Sequence, residues 1–375
     1  MSVEKNVPQI RFKDFAGEWL DTTLSDVIDV RSGKDYKHLG KGNIPVYGTG
    51  GYMLSVDSAL SNDEDAIGIG RKGTIDKPYL LRAPFWTVDT LFYAVPKPKF
   101  KLDYLYCLFQ KIDWKKHDES TGVPSLSKVA INNIPVRVTS ETEQTAIGNT
   151  FQKLDNLINQ HQQKHDKLSN IKKAMLEKMF PKQGENIPEI RFKGFSGEWE
   201  EIELSDEVTF INGRAYSQEE LLDKGKYTVL RVGNFYTNSS WYYSDLELGD
   251  KYYADNGDLL YTWSASFGPH IWNGDKVIYH YHIWKLELSE NIDKLFLLHL
   301  LDYDRAKILS GSNGSTMIHI TKSAMEAKKV FIPKKDEQIV IGNYFQKLDV
   351  LIKHHQQQIT KLNNIKQACL SKMFV

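Results

Sequence analysis

One long stretch that occurs twice restricts the fold of this chain more than any other feature. "EQTAIGNTFQKLDNLINQHQQKHDKLSNIKKAMLEKMF" (Glu143 to Phe180) returns as "EQIVIGNYFQKLDVLIKHHQQQITKLNNIKQACLSKMF" (Glu337 to Phe374), with 25 of 38 positions identical at an offset of 194. Apolar residues recur at Ile147, Phe151, Leu154, Leu157, Ile158, Leu168, Ile171, Met175 and Met179. That spacing of three and four puts them on one stripe of a helix. No Pro or Gly interrupts the run after Gly148. At about 1.5 Å per residue the helix spans roughly 50 Å, too long to be buried in one small domain. The twin carries its stripe at Ile341, Phe345, Leu348, Leu351, Ile352, Leu362, Ile365 and Met373. Two matching stripes in one chain are buried most economically against each other. The plainer alternative is a pair of independent coiled-coil dimerisation arms.

A second echo shows that the duplication is not confined to the helices. "PQIRFKDFAGEW" (Pro8 to Trp19) returns as "PEIRFKGFSGEW" (Pro188 to Trp199), nine of twelve positions identical at an offset of 180. The offset grows from 180 to 194 between the echoes, so the second intervening block is longer by that difference. The chain therefore reads as leading segment, variable block and helix, twice over. The implied divisions are 1–142 for a first domain, 143–180 for a central helix, 181–336 for a second domain and 337–375 for a last helix.

With 375 residues and 41% hydrophobic content, each half is long enough to bury its own core. No apolar run approaches the roughly 20 residues that span a bilayer, and the first thirty residues lack the halves of a signal peptide. These features predict a soluble chain without a membrane role. Cys107 and Cys369 are too few for a disulfide framework or a thiolate zinc site, which fits the cytoplasm. Lys plus Arg equals Asp plus Glu at 48 each, so net charge names no partner and any nucleic-acid surface must be local.

The blocks do not align by eye at their beginnings, yet they end alike. "LDYLYCLFQKIDW" precedes "STGVPSLSK", and "IDKLFLLHLLDYDRAKIL" precedes "SNGSTMIHITK". Each is an apolar helix, then a Gly-containing polar loop, then a Ser/Thr-Lys pair, Ser127-Lys128 and Thr321-Lys322. Upstream, short alternating runs bounded by Gly and Pro read as strands: "IPVYGTG", "AIGIG" and "LFYAV", then "YTVLRVGNFY", "DLLYTW" and "VIYHYHIWKLEL". Each block is thus a mixed α and β domain, with one plan and different contents.

Catalytic readings fail on context. "GIGRKG" (Gly68 to Gly73) matches a dinucleotide fingerprint, with Asp89 near the distance for a ribose contact. The motif must open a helix, but "TIDKPYLLRAPFW" has Pro78, Pro84 and no helical period. Its Gly residues suit either close approach to a phosphate backbone or a tight turn. "DKPY" (Asp76 to Tyr79) resembles an amino-methyltransferase motif but lacks its second Pro, and no phosphate-binding Gly-x-x-x-x-Gly-Lys-Ser/Thr is present. His161 and His165 have a metal-compatible spacing that the second copy does not keep, where His355 and Ile359 stand. They read as a polar layer of the helix seam. His280 and His282 alternate on an expected strand and point to one face, in a structural role.

What remains is recognition chemistry. "RSGKDYKHLGKGN" sets Arg31, Lys34, Lys37 and Lys41 against a single acid, with Tyr36 and His38 between them. Such a loop neutralises phosphates while its polar groups reach base edges. Arg71 and Lys72 form a second basic pair, and Ser125 and Lys128 flank the end of the block. The second block offers Arg214, Arg231, Asn234, Tyr236, Trp263, Ser264, Ser266, His270, Thr316 and Lys322. Arg to guanine and Asn to adenine are the usual bidentate partners in the major groove. Solvated loops and packed aromatics are the plain alternative for about half of these residues.

The chain resembles the specificity subunits of type I restriction-modification systems. The resemblance rests on "RFKDFAGEW" and "RFKGFSGEW", on "IPVYGTGGY" with "AIGIGRKGTIDKPYLLRAPFWTVDTLFYAV", and on the "EQ" and "IGNxFQKLD" opening both helices. It covers essentially the whole chain. It implies an α+β fold of two mixed α/β target-recognition domains in tandem pseudo-twofold repeat, separated by two long helices packed as an antiparallel coiled coil. Each domain would read one half of a split, asymmetric site in double-stranded DNA. The implied partners are two modification subunits that methylate adenine with S-adenosylmethionine and two motor-nuclease restriction subunits that use ATP and Mg2+. No cofactor or catalytic residue is then expected in this chain. The rival reading is a coiled-coil adaptor whose globular domains bind protein or ligand, and a third makes the chain itself a nuclease or methyltransferase.

Overall fold

The helical stripes form as their spacing requires. A computed structural model describes residues 6–182, 184–236, 238–264, 266–311 and 320–375, and holds two 39-residue helices, Glu141–Met179 and Lys335–Met373. Both begin two residues before the repeated stretch. The Ser140 hydroxyl accepts from the Glu143 N–H at 3.4 Å and caps the first. Among the described residues no helix is long and apolar enough to cross a membrane.

The chain divides into two compact units. One runs to Gln163 and resumes at Gln356, and the other is Lys164–His355. Each unit therefore holds one variable block, the first part of the helix that follows it and the last part of the other long helix. In the first unit, Ile147 and Phe151 share a core with Leu370, Met373 and Phe374, while Asp155 pairs with Lys366 at 2.7 Å. Advancing along one helix means receding along the other, so the pair is antiparallel. The second unit repeats this with Met179 and Phe180 against Ile341, Phe345 and Leu348, and Lys172 on Asp349 at 2.7 Å.

The blocks are mixed α and β as expected. In the first unit an antiparallel four-stranded sheet runs Ile28–Ser32, Leu91–Pro96, Ala66–Gly70, Tyr79–Leu81. A three-stranded sheet runs Gly51–Val56, Lys41–Gly48, Trp86–Thr87. The second unit has the four-stranded sheet Val208–Asn212, Ile283–Leu288, Leu259–Thr262, Gly268–Ile271, and a second sheet Tyr242–Ser244, Tyr227–Leu230, Val277–Tyr279, Tyr253–Ala254. A two-stranded ribbon closes each block, Leu20–Thr23 with Pro135–Val138 and Glu200–Glu203 with Lys329–Ile332. "AIGIG" is buried at every position, Ala66 through Gly70. Its glycines serve packing: a Cβ at Gly70 would lie 1.9 Å from the Thr74 carbonyl oxygen.

The expected strand over "VIYHYHIWKLEL" is two strands. The chain leaves one sheet at Tyr279 and joins another at Ile283, and the Ile283 N–H donates to the His280 oxygen at 2.9 Å across the turn. His280 and His282 therefore flank a turn rather than sharing a strand face.

Packing explains the repeated leading segment. Arg11 donates twice to Glu143, at 2.7 Å each, and Arg191 twice to Glu337, at 2.6 Å each. Both carboxylates are 1% exposed. Such pairs offset burial of the charge because each carboxylate oxygen is hydrogen-bonded. Trp19 meets Tyr104 and Phe374 edge-on, and Trp199 meets Phe296 and Phe180 edge-on. The segment thus locks the start of each block to both long helices.

Candidate DNA interface

In the first unit, backbone hydrogen bonds gather several basic residues around one loop. Lys34 N donates to Thr87 O at 2.8 Å, and Arg71 N and Lys72 N both donate to Thr90 O, at 2.9 and 3.3 Å. Leu126 N donates to Arg71 O at 2.9 Å and Gly73 N to Pro124 O at 2.8 Å, which brings in Ser125, bridged to Lys72. Lys34, Arg71, Lys72 and Ser125 thus converge, with the Arg71 and Lys72 side chains exposed. The glycine-bearing turn Gly70 to Gly73 holds this pair outward, and Gly73 needs its φ of +98°.

The remaining basic residues of this block are placed differently. Arg31 lies on a strand and pairs with Asp29 at 2.7 Å and Glu64 at 2.5 Å, which holds its guanidinium firmly protonated. Tyr36 packs under the hairpin against a buried cluster, and His38 sits edge-on to Trp86. Lys37 lies in the same loop and Lys41 opens a strand. Lys128 and Lys322 each begin a short helix, capped by the Ser127 and Thr321 hydroxyls. Lys322 pairs with Glu326 at 3.4 Å.

In the second unit the polar residues largely organise their own loops. Arg214 donates to both Glu220 oxygens, at 2.9 and 2.6 Å, and lies over the Tyr216 ring. The carboxyl of Glu220 is held down at about 2 by that guanidinium. Arg231 lies 4.1 Å over the Tyr242 ring. The Asn234 oxygen accepts from Arg231 N at 3.1 Å while its amide donates to Ser240 O at 2.9 Å. His270 stacks on Phe235 at 4.2 Å and meets the Tyr236 hydroxyl at 3.2 Å, and burial drops its pKa to about 4. Ser264 is buried, Ser266 is exposed, and Thr316 lies outside the described residues.

Trp263 is half-buried, and its indole N–H donates to Tyr281 O at 2.9 Å. Its rings meet Tyr281, His282 and Trp284. Tyr281, 39% exposed, is absent from the sequence-derived candidates, as are Tyr52 and Met53 at the hairpin tip, 63% and 48% exposed. The hairpin signal was readable in "YGTGGY", where Thr49-Gly50 forms the turn between paired Gly48 and Gly51 and Tyr52, the next aromatic, is left outward.

The profile of the type I restriction modification DNA specificity domain matches residues 16–170 and again 196–364. The MjaVIII type I restriction enzyme specificity subunit of Methanocaldococcus jannaschii is 27% identical over 194 residues, 51% of this chain and 45% of that one. The putative MjaX specificity subunit of the same organism is 22% identical over 259 residues, 66% of this chain and 60% of the other. The chain thus spans about half the length of the curated relatives it matches. Among solved structures, the type I S subunit from M. genitalium superposes with a TM-score of 0.67 at 16% identity, covering 98% of this chain and 99% of that one. A chain from a type I complex solved for its assembly and conformational transition gives 0.52 at 15% identity, covering 95% and 97%. The shared fold and the double profile match leave the coiled-coil adaptor reading unsupported. Two tandem mixed α and β blocks with a long helix between them, matched over most of their length, place this chain in the type I restriction-modification DNA specificity family.

Proposed function

We propose that this chain supplies the sequence choice of a type I restriction-modification complex. Each unit reads one half of a split, asymmetric site in double-stranded DNA. Two modification subunits and two motor-nuclease restriction subunits assemble on the repeated frame. Methyl transfer from S-adenosylmethionine and the use of ATP and Mg2+ belong to those partners, so this chain binds and positions rather than catalyses. The complex works in the cytoplasm, where its DNA lies.

One observation carries this reading. The contacts that frame the two units match, Arg11–Glu143 against Arg191–Glu337 and Phe374 on Trp19 against Phe180 on Trp199. The loops it holds differ in charge, basic around Arg71 and Lys72 and aromatic around Trp263. A shared frame presents equivalent surfaces to identical partners, and unlike loops read unlike bases. The test exchanges residues 20–142 for the corresponding block of a related subunit. Methylome sequencing should then show one half of the methylated site changed and the other retained. Alteration of both halves would refute separate reading.

A further inference from the structure

The two units deliver unlike side chains to one structural position. Arg71 N donates to Thr90 O at 2.9 Å, and Arg71 O accepts from Leu126 N at 2.9 Å. Trp263 N donates to His282 O at 3.1 Å, and Trp263 O accepts from Ile320 N at 3.4 Å. The strands just before them also match in register, Ile69 opposite Phe92 and Gly70 opposite Leu91, as Tyr261 is opposite Trp284 and Thr262 opposite Ile283. Across the sheet, Lys34 N bonds Thr87 O at 2.8 Å where Arg214 N bonds Tyr279 O at 3.1 Å. Positions 71 and 263 are therefore counterparts.

Their side chains share a geometry as well. The Arg71 guanidinium carbon lies 5.7 Å from the centroid of the Phe92 ring. The Trp263 indole lies on Trp284, the counterpart of Phe92, with centroids 5.8 Å apart and planes at 18°. Each is a planar group on an aromatic floor, and the floor limits how far it swings. Their chemistry is opposite. Arg71 spends one donor on Asp89 O at 3.3 Å and keeps its charge and the rest of its fork. Trp263 has one donor, given to Tyr281 O, so it offers hydrocarbon. Beside it stand Tyr281 and His282 where the first unit has Asp89 and Thr90.

We propose that Arg71 and Trp263 are counterpart reading positions, Arg71 making a charged contact with its half-site and Trp263 an apolar contact with base surface in the other. This rests on the reading that both units bind DNA. Apolar base surface has two sources, the thymine methyl in the major groove and the face of an unstacked base.

The test uses the full chain assembled with its modification partner, and fluorescence anisotropy on a duplex carrying the methylated site across a salt series. Trp263→Ala should weaken binding roughly tenfold or more with the salt slope unchanged, and Trp263→Phe should recover most of it. Arg71→Ala should lower the slope by about one, and Trp263→Arg should raise it by about one. Uracil for thymine in the second unit's half-site should weaken wild-type binding but not that of Trp263→Ala if the methyl is the contact. Brightening of 2-aminopurine placed there, lost in Trp263→Ala, would assign the base face instead. Wild-type affinity in Trp263→Ala, an unchanged slope in a folded Trp263→Arg, or a half-site indifferent to both base probes would each overturn the proposal. Wild-type complex without sequence-selective, salt-dependent binding would instead remove the DNA-reading function itself.

Discussion

At the scale of single residues, the second unit contains a charge-sensitive weak point. His299 is 1% exposed, and neither ring nitrogen has a hydrogen-bond partner among the described residues; Asp349 Oδ2 stands 3.9 Å away. Burial, reinforced by the Lys172 charge, pushes its pKa from 6.5 down to about 3. The unfolded chain then binds a proton below about pH 6.5 that the folded chain refuses, so stability is lost as pH falls through that value. By pH 5 the loss from this group is about 2 kcal/mol. Asp349, whose carboxyl is raised by burial, works in the opposite direction, so the histidine is isolated by substitution. H299L should be near neutral at pH 7 and should flatten the decline between pH 6.5 and 5 in urea unfolding curves. An unchanged decline would place the proton elsewhere. Cys107 is the counterpart of His299, each six residues beyond the N–H that the long helix's glutamine accepts, at Lys101 and Asp293, and nothing in "LFLLHLLDYD" says whether its histidine is satisfied. The same gap affects the reading loops. Arg214 and Asn234 have side chains suited to bases, but their hydrogen bonds go to Glu220 and to the loop backbone. Sequence supplies donor types, and only the fold shows which donors are already spent.

At the scale of elements, the repeated "EQ" and "IGN" acquire separate tasks. The glutamates hold the leading segments, and the glutamines seat the helices of the blocks, Gln144 accepting from Lys101 N at 3.1 Å and Gln338 from Asp293 N at 2.8 Å. The glycines mark the closest approach of those helices to the long ones. A Cβ at Gly148 would lie 3.1 Å from Asp103 Cβ and Tyr104 N, whereas at Gly342 it would lie 2.7 Å from Phe296 N and 2.8 Å from Leu295 Cβ. Alanine favours a helix interior by about 1 kcal/mol over glycine, and overpacking against backbone costs about 1–3 kcal/mol. G342A should therefore destabilise the second unit by up to about 2 kcal/mol, while G148A, whose neighbours need move only a few tenths of an ångström, should be nearly neutral. Denaturant midpoints followed by tryptophan fluorescence decide it, and equal effects would mean that the two approaches are equally tight. Helices of this length were legible because the stripe resumes after Ile158 at Leu168 with the same three-and-four spacing and no Pro or Gly intervenes. The strand break at His280 to His282 was not, since "VIYHYHIWKLEL" carries no Gly or Pro to mark it and the switch of sheets is dictated by Arg214 and the hydrogen bonds of the neighbouring strand. The match of position 71 with 263 was hidden for a related reason: unlike turns between the strands remove any constant offset.

At the scale of the whole molecule, duplication was plain in the sequence and its consequence for packing was not. The long helices look like separators between blocks, yet each begins in one unit and ends in the other. A change in helix length is therefore felt by both units at once, and a change in one helix alone breaks the antiparallel register of both. The paired deletion of Leu154 to Gln160 and Leu348 to His354 removes one heptad from each helix and keeps the apolar stripe in phase at their ends. A heptad of helix covers about 10.5 Å, close to the length of three base pairs, and one turn of B-DNA is about 10 pairs. If the helices measure the unread spacer between half-sites, this deletion should shorten the methylated spacer by a few pairs or abolish methylation through lost phase, with both half-site sequences unchanged. Removing only Leu154 to Gln160 should do worse: both deletions lose the Asp155–Lys366 pair, but the single one also lets the stripe of one helix slip against the other. Methylome sequencing of cells carrying each deletion without nuclease reads the outcome directly. Full methylation at the original spacing in the paired deletion would show that the recognition blocks, rather than the helices, set the separation of the half-sites.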